Sequence, residues 1–169
     1  SKDLEKSFLE HYHTVRINPI RVSADEFSYP IHVFIRYQIE KEIFKNKIKF
    51  KDIKDLWNKK YLDHLGIDLS SDSEGVLQDI HWYEGIFGYF PTYALGAMIA
   101  SQIKYNCPLF DIFLKNPDEE NIKQLIIWLN NNIHQKASLY SSDEMLQSIS
   151  GEKLNSKYYL EHLVGRFVK

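Results

Sequence analysis

The 169-residue sequence predicts a mainly α-helical, multi-helix protein. Several segments carry apolar residues three or four positions apart, which places those residues on one face of a helix. Residues typical of helix starts and stops flank the same segments. No stretch alternates apolar and polar residues with the period of two that a half-buried β-strand requires. We expect a single domain over residues 1–169, because no linker, repeat or low-complexity tract interrupts the chain.

The first well-signalled helix is predicted to start at Ser23–Glu26, where the serine can cap the first turn and the glutamate can reach back to it. Pro30 stands inside the pattern that follows, so we expect it to cost one hydrogen bond and to bend the first turns. The inward stripe of this helix is predicted to comprise Phe27, Ile31, Phe34, Ile35, Gln38, Ile39 and Ile43.

The second predicted helix covers residues 50–65 and ends at Gly66, because glycine readily adopts the left-handed conformation of a helix stop. Farther along, residues 85–103 carry no charge over a length close to the ~20 residues of a membrane span. Glycines, a proline and several hydroxyl groups within this stretch predict instead a loop followed by a buried helix over residues 93–105.

Three more helices are predicted in the C-terminal part of the chain. Pro117 and the acidic residues after it start one helix, whose apolar face between Ile122 and Ile133 should point inward. Residues 142–150 form the next helix, which a glycine stops, and residues 156–167 form the last, which Asn155 caps. The core residues predicted from all these faces are Phe27, Ile31, Phe34, Leu56, Trp57, Ile126 and Leu129.

The net charge is −2 and the isoelectric point is about 6.4, so the chain has no overall attraction for nucleic acid or anionic membranes, and we expect neither partner. Residues 41–60 are rich in lysine, but the aromatic side chains among them, Phe44, Phe50 and Trp57, are predicted to face inward. Cys107 is the single cysteine, so no intrachain disulfide can form. With no export signal visible, we expect a cytoplasmic location.

Arginine is rare in this chain, which has 17 lysines and 4 arginines. The arginine positions are therefore the places to ask whether a planar, two-pronged donor is needed, because lysine cannot imitate that geometry. They are Arg16, Arg21, Arg36 and Arg166.

Three short strings carry the strongest functional signals: I-R-V-S-A-D-E over 20–26, G-V-L-Q-D-I-H-W over 75–82, and G-Y-F-P-T-Y over 88–93. The second and third strings place an imidazole and two phenols between positions 81 and 93, on backbone interrupted by glycine. Such side chains can converge on a cleft and donate hydrogen bonds to an oxyanion or a carboxylate.

The three strings, in this order, resemble the C-terminal region of the carboxypeptidase Taq family of zinc metallocarboxypeptidases, and the resemblance covers the chain from about residue 17 onward. It implies a helical fold, usually a homodimer, and removal of single residues from peptide C-termini. By the same resemblance Arg21 binds the terminal carboxylate of the substrate, while His81, Tyr89 and Tyr93 orient the scissile carbonyl and stabilise its oxyanion.

The family's zinc ligands and general base are missing from this sequence. In the family they belong to an H-E-x-x-H helix and a downstream H-E-S segment, and neither string occurs here. We therefore expect no cofactor in this chain, with zinc confined to the complete family enzyme. One hypothesis is a fragment or split-gene part whose partner is a separate chain with the zinc helix, inactive alone.

Other interpretations of the same residues stay open. The chain could instead be a non-catalytic remnant that acts as a peptide-binding or dimerisation module. Arg21 could pair with Asp25 or Glu26 at the helix start, and His81 could be a hydrogen-bonded core histidine. Tyr89 and Tyr93 could be ordinary core aromatics with a hydrated hydroxyl group.

Overall fold

The computed structural model describes Leu4 and residues 12–168. Throughout that part of the chain every regular element is a helix, which confirms the mainly α prediction. Short 3-10 helices cover Arg21–Ser23, Phe50–Asp52 and His134–Lys136. The α-helices are α1 (Tyr29–Phe44), α2 (Ile53–Leu65), α3 (Pro91–Asn106), α4 (Phe110–Lys115), α5 (Glu119–Asn132), α6 (Ser142–Ser150) and α7 (Lys157–Phe167).

The chain divides into two compact units. The first unit runs up to Ala94 and takes in the C-terminal residues from Leu163, and the second unit is Leu95–His162. The expectation of a single domain over residues 1–169 stays a prediction. Among the described residues, no helix has both the length and the apolar character needed to cross a membrane.

Helix α1 begins later than the sequence suggested. Ser23 belongs to a 3-10 turn, and the Asp25 carboxylate accepts a 2.8 Å hydrogen bond from the backbone N–H of Ser28, just before the helix starts at Tyr29. Pro30 is the second helical residue, where no N–H is needed. The expected broken hydrogen bond was therefore wrong, because proline selects the first turn instead of interrupting a longer helix.

The core of the first unit lies between α1 and α2, and it contains Trp57 as predicted. Phe27 and Phe34 were predicted in the core but are 36% and 44% exposed. The inward face of α1 is rotated from the expected stripe because polar residues occupy part of it. Its buried members are His32, Val33, Ile35, Arg36, Ile39 and Glu40.

Two other aromatic residues also lie outside the core. Phe44, at the end of α1, is 66% exposed, and Phe50 is 76% exposed, so the expectation that they face inward was wrong. Both belong to the connection between α1 and α2, where no neighbouring helix covers them in the described part of the chain. Gly66 ends α2 in the left-handed conformation with φ +68°, as predicted.

In the second unit, helix α3 is more exposed than predicted. Its buried residues are Ser101 and Gln102, while Tyr105 is 59% exposed. The Gln102 side chain donates to Ser150 Oγ and accepts from the backbone N–H of Asn155, so it ties α3 to the connection between α6 and α7. A polar contact thus replaces the apolar packing that the uncharged sequence suggested.

The helix caps of the second unit follow the sequence closely. Asp118 accepts from the backbone N–H of Asn121 at the start of α5, Gly151 stops α6 at φ +76°, and Asn155 caps α7 through the N–H of Lys157. The predicted burial of α5 was wrong, since Ile122 and Ile126 are 41% and 49% exposed. A cap depends on neighbouring residues, whereas burial depends on what packs against the helix.

Candidate functional site

The three strings singled out in the sequence meet in the first unit. Arg21 opens a 3-10 turn, and its backbone N–H donates to Gln78 Oε1 over 2.8 Å. Gln78 also donates through Nε2 to the carbonyl oxygens of Pro19 and Glu74, so this one amide ties the segment before α1 to the loop that carries the second string. These bonds bring Arg21 beside the next residue of the loop, Asp79.

Asp79 is shared between two arginines. Its Oδ1 accepts from Nε of Arg21 over 3.0 Å and lies 2.9 Å from Nη2 of the same guanidinium. Its Oδ2 lies 2.6 Å from Nε and 2.6 Å from Nη2 of Arg36. The side chain of Asp79 is 9% exposed. The expected pairing of Arg21 with Asp25 or Glu26 does not form, because Asp25 binds the N–H groups of Arg16 and Ser28.

The two arginines differ in how many of their N–H donors are used. Arg36 is fully buried, and besides Asp79 it donates from Nη1 to the His32 carbonyl and the Tyr61 hydroxyl, and from Nη2 to Gln78 Oε1. These contacts match the five N–H groups of a guanidinium. Arg21 contacts Asp79 through Nε and Nη2, and it donates from Nη1 to the Tyr29 hydroxyl over 2.9 Å. One N–H on each terminal nitrogen of Arg21 therefore has no acceptor among the described residues.

Aromatic rings surround the Arg21 guanidinium. Its Cζ lies 5.3 Å from the ring centre of Tyr93, 5.6 Å from that of Phe90 and 5.8 Å from that of Tyr29. Phe90 is 1% exposed, and its ring centre also lies 5.3 Å from Cζ of Arg36. Aromatic faces attract a cation and exclude water, so they stabilise the buried charges and strengthen contacts made there.

His81 contacts both predicted tyrosines. Its Nε2 lies 3.1 Å from the Tyr93 hydroxyl, and its ring centre is 5.8 Å from that of Tyr89. The two tyrosine rings are 5.4 Å apart in an edge-to-face arrangement. Nδ1 of His81 is buried and has no hydrogen-bond partner within the described part of the chain. Because Tyr93 also lies over Arg21, the four predicted site residues form one cluster.

The buried charges of this cluster do not cancel. Arg21 and Arg36 carry two positive charges and Asp79 one negative charge. His32, which is fully buried beside Tyr61, adds none at neutral pH: burial first, and then the charges of Arg36 and Arg21, lower its pKa to about 4. The nearby buried carboxylate of Glu40 accepts from the Trp82 indole N–H and forms no ion pair with Arg36. The three residues Arg21, Asp79 and Arg36 alone thus sum to +1, and the Glu40 carboxyl group, one helical turn along α1 from Arg36, is a second buried acid outside this trio.

The protonation state of Arg21 is secure. Burial acts to lower the pKa of its guanidinium, but the hydrogen bond to Asp79, the charge of Asp79 and the contact with Tyr29 together outweigh burial, so the pKa is raised. The site therefore presents a permanent cation. An anion with two oxygens can accept from the two remaining N–H groups of this cation.

Sequence reasoning identified Arg21, His81, Tyr89 and Tyr93 but assigned no role to Asp79, Gln78, Arg36 and Phe90. The rarity of arginine pointed to Arg36, which the structure places in a multidentate contact. No comparable signal marked Asp79, because aspartates are common and its partners lie 43 and 58 residues away.

The described residues do not fit a zinc site. Among them, no three or more histidine, cysteine, aspartate or glutamate side chains lie close enough to hold a metal ion. His11, in the H-Y-H sequence at residues 11–13, lies outside the described residues. Cys107 is buried, as expected for a small apolar residue, and lies in the other unit.

Comparison with known proteins gives consistent matches. Residues 1–167 match the family model described as carboxypeptidase Taq (M32) metallopeptidase. The chain is 43% identical over 152 residues to carboxypeptidase 1 of Bacillus subtilis (strain 168), covering 88% of this chain and 30% of that protein. It is 33% identical over 162 residues to thermostable carboxypeptidase 1 of Pyrococcus furiosus, covering 94% of this chain and 32% of that protein.

A solved structure agrees with these matches. The Trypanosoma cruzi metallocarboxypeptidase 1 superposes with a TM-score of 0.82 at 37% identity, over 94% of this chain and 34% of that one. The chain thus spans about a third of the length of the relatives that it matches.

Proposed function

Because the chain belongs to the carboxypeptidase Taq (M32) metallopeptidase family, we propose that it supplies the substrate contacts of a metallocarboxypeptidase that acts at peptide C-termini. Arg21 binds the terminal carboxylate of the substrate, and His81, Tyr89 and Tyr93 orient and stabilise the carbonyl that is attacked. Since the chain spans about a third of its relatives, these contacts form one part of a larger site.

The observation that carries the proposal is the unequal use of the two arginines. All five donors of Arg36 are occupied, whereas Arg21 keeps two N–H groups that have no acceptor among the described residues. A peptide carboxylate brings two acceptor oxygens and one negative charge, so it matches both the geometry and the charge that this site lacks.

The positions of His81 and Tyr93 support the second part of the proposal. The scissile carbonyl lies one residue before the terminal carboxylate, a step of about 3.8 Å between Cα atoms. Tyr93 lies over Arg21 and contacts Nε2 of His81, so the Tyr93 hydroxyl, oriented by the imidazole, stands next to the proposed carboxylate site. A hydrogen-bond donor held beside that site would stabilise the negative charge that develops on the carbonyl oxygen.

The zinc that this proposed function requires is held by residues that this sequence does not contain. A catalytic zinc site takes three protein ligands, which the described residues do not provide. We place the metal ligands and the general base in another part of the polypeptide or in a separate chain. Purified alone with added zinc or cobalt, the chain is expected neither to bind near-stoichiometric metal nor to release C-terminal residues, and metal-dependent turnover would overturn this expectation.

The direct test is a binding comparison on the purified chain. An N-acylated dipeptide with a free C-terminal carboxylate is expected to bind, while the same dipeptide with a C-terminal amide binds at least about tenfold more weakly. Arg21→Lys should remove most of this difference, because an ammonium group cannot form the two-pronged contact. Equal binding of the two peptides to the wild-type chain would contradict the proposed carboxylate site.

A second candidate function is a non-catalytic peptide-binding or dimerisation module. The observation that favours it is the exposed apolar face of α5, at Ile122 and Ile126. It is distinguished from the first by mixing the chain with the missing family segment and assaying C-terminal residue release. The homodimeric state and the cytoplasmic location stay predictions.

A further inference from the structure

Asp79 holds the Arg21 guanidinium by one specific edge. Nε and Nη2 of Arg21 both point at Oδ1 of Asp79, at 3.0 and 2.9 Å. On the other side, Nη1 donates to the Tyr29 hydroxyl at 2.9 Å. A guanidinium that is hydrogen-bonded at both Nε and Nη1 cannot rotate about its Cδ–Nε bond without breaking one of these contacts. Its two remaining N–H groups are therefore aimed in a fixed direction.

We propose that Asp79 and Arg36 are positioning residues for the carboxylate site: Asp79 aims Arg21, and Arg36 anchors Asp79 and prevents it from neutralising the site. The inference rests on the function proposed above, because it assigns a role to two residues that do not touch the ligand. The two residues act through two separate effects, the alignment of Arg21 and the local charge.

The first role is alignment. Oδ2 of Asp79 is held at 2.6 Å by both Nε and Nη2 of Arg36, which is itself fully buried and bound to the His32 carbonyl on its own helix. Arg36 also shares Gln78 Oε1 with the backbone N–H of Arg21. The Asp79 carboxylate thus cannot turn, and a donor pair held in place before binding loses less entropy when the ligand arrives.

The second role is electrostatic. If Asp79 faced Arg21 alone, the two charges would cancel, and a ligand carboxylate would gain little from binding there. Because Arg36 lies on the other oxygen, Asp79 is shared by two guanidinium groups and leaves an excess of positive charge at Arg21, and neutral His32 adds no charge at pH 7. Arg36 therefore raises the affinity for an anion that it never contacts.

The alternative is that this network only stabilises the fold. A purely structural role and a positioning role differ in one measurable quantity, the ratio of the affinities for a peptide acid and for its amide. A variant that merely lowers the folded fraction weakens both ligands equally and leaves the ratio unchanged. A variant that misaligns Arg21 or removes the excess charge weakens the acid and spares the amide.

The experiment uses the full chain and the N-acylated dipeptide in its acid and amide forms, with binding followed by calorimetry. Asp79→Asn and Arg36→Met are expected to lower the acid-to-amide affinity ratio at least about tenfold, and Tyr29→Phe about threefold. The matched control is Asp72→Asn, which removes the exposed ion pair with Lys54 and should keep the ratio within about twofold of wild type.

Circular dichroism identifies the folded variants. A folded Asp79→Asn or Arg36→Met variant that keeps the wild-type ratio overturns the inference. If neither variant folds, the inference is tested by Tyr29→Phe, which preserves the shape of the side chain. An unchanged acid-to-amide affinity ratio in this variant means that the guanidinium is not held from both sides, and it overturns the inference. A wild-type chain without acid preference overturns the proposed function itself, so the two failures are distinguishable.

Discussion

Nε2 of His81 lies 3.1 Å from the hydroxyl oxygen of Tyr93, so a side-chain hydrogen bond links the second and third sequence strings. The bond joins a residue of the loop before α3 to the first turn of that helix. In the tautomer that donates from Nε2, the imidazole orients the Tyr93 hydroxyl and leaves its O–H free to donate to a ligand.

Removal of either partner of this pair is expected to lower turnover. In enzyme reconstituted with the metal-bearing part of the family fold, Tyr93→Phe or His81→Ala should reduce kcat by about 10²-fold, because one donor to the developing oxyanion is lost or misaligned. Tyr37→Phe, a change at a 41% exposed tyrosine of α1, is the control and should leave kcat unchanged. Wild-type kcat in both site variants would show that the pair takes no part in the reaction.

Gln102 is expected to be essential for the stability of the second unit. Its Nε2 donates to Ser150 Oγ and the Lys153 carbonyl, and its Oε1 accepts from the Asn155 N–H, all at a fully buried position. Gln102→Ala should lower the free energy of unfolding by about 2 kcal/mol or more, because buried polar groups lose their partners. Urea unfolding measures the change.

The matched control for that measurement is Gln124→Ala. Gln124 is exposed on α5 and bonds to Glu120 one turn away, so its replacement should change the free energy of unfolding by no more than about 0.5 kcal/mol. Equal effects of the two substitutions would mean that the buried network contributes nothing beyond an ordinary surface contact.

His32 should make the free energy of unfolding depend on pH. Its pKa in the folded protein is about 4, below its ordinary value of 6.5, because burial and the charges of Arg36 and Arg21 oppose protonation. The unfolded chain therefore takes up a proton that the folded chain does not, and the stabilising contribution, complete above about pH 6.5, declines as the pH falls toward 4.

Nuclear magnetic resonance tests this directly through the imidazole signal of His32, which should titrate with a midpoint near pH 4. Urea unfolding should show a decline in the free energy of unfolding between pH 6.5 and 4 that His32→Gln reduces. A His32 midpoint near 6.5 would contradict the burial of its charge among the two arginines.

The exposed apolar face of α5 is expected to promote self-association of the isolated chain. Ile122 and Ile126 lie one helical turn apart and are 41% and 49% exposed, and contiguous exposed apolar surface favours association. Ile126→Glu should weaken association in analytical ultracentrifugation and lower binding of a dye that reports apolar surface. Gln124→Glu adds the same charge on the same helix and serves as the control, and a wild-type chain that stays monomeric without binding dye would contradict the expectation.

The sequence by itself determined the helical class and most helix ends. Asp118, Gly66 and Gly151 act through the few residues next to them, so their roles can be predicted without the fold. The start of α1 was misplaced because two local signals competed, a capping-box pattern at Ser23–Glu26 and a proline that belongs in a first turn, and the proline prevailed.

The sequence also predicted which residues belong to the proposed site, since the order of the three strings pointed to Arg21, His81, Tyr89 and Tyr93, and that role stays a prediction. Only the tertiary structure decided what holds them. Asp79 meets Arg21 across 58 positions and Arg36 across 43, and whether a carboxylate serves one arginine or two depends on how helices and loops pack. Burial followed the same rule: Phe34 and Ile126 have helical spacing, but packing left them exposed and placed Arg36 inside. Periodicity defines a face of a helix, and the packing of the chain determines which face is covered.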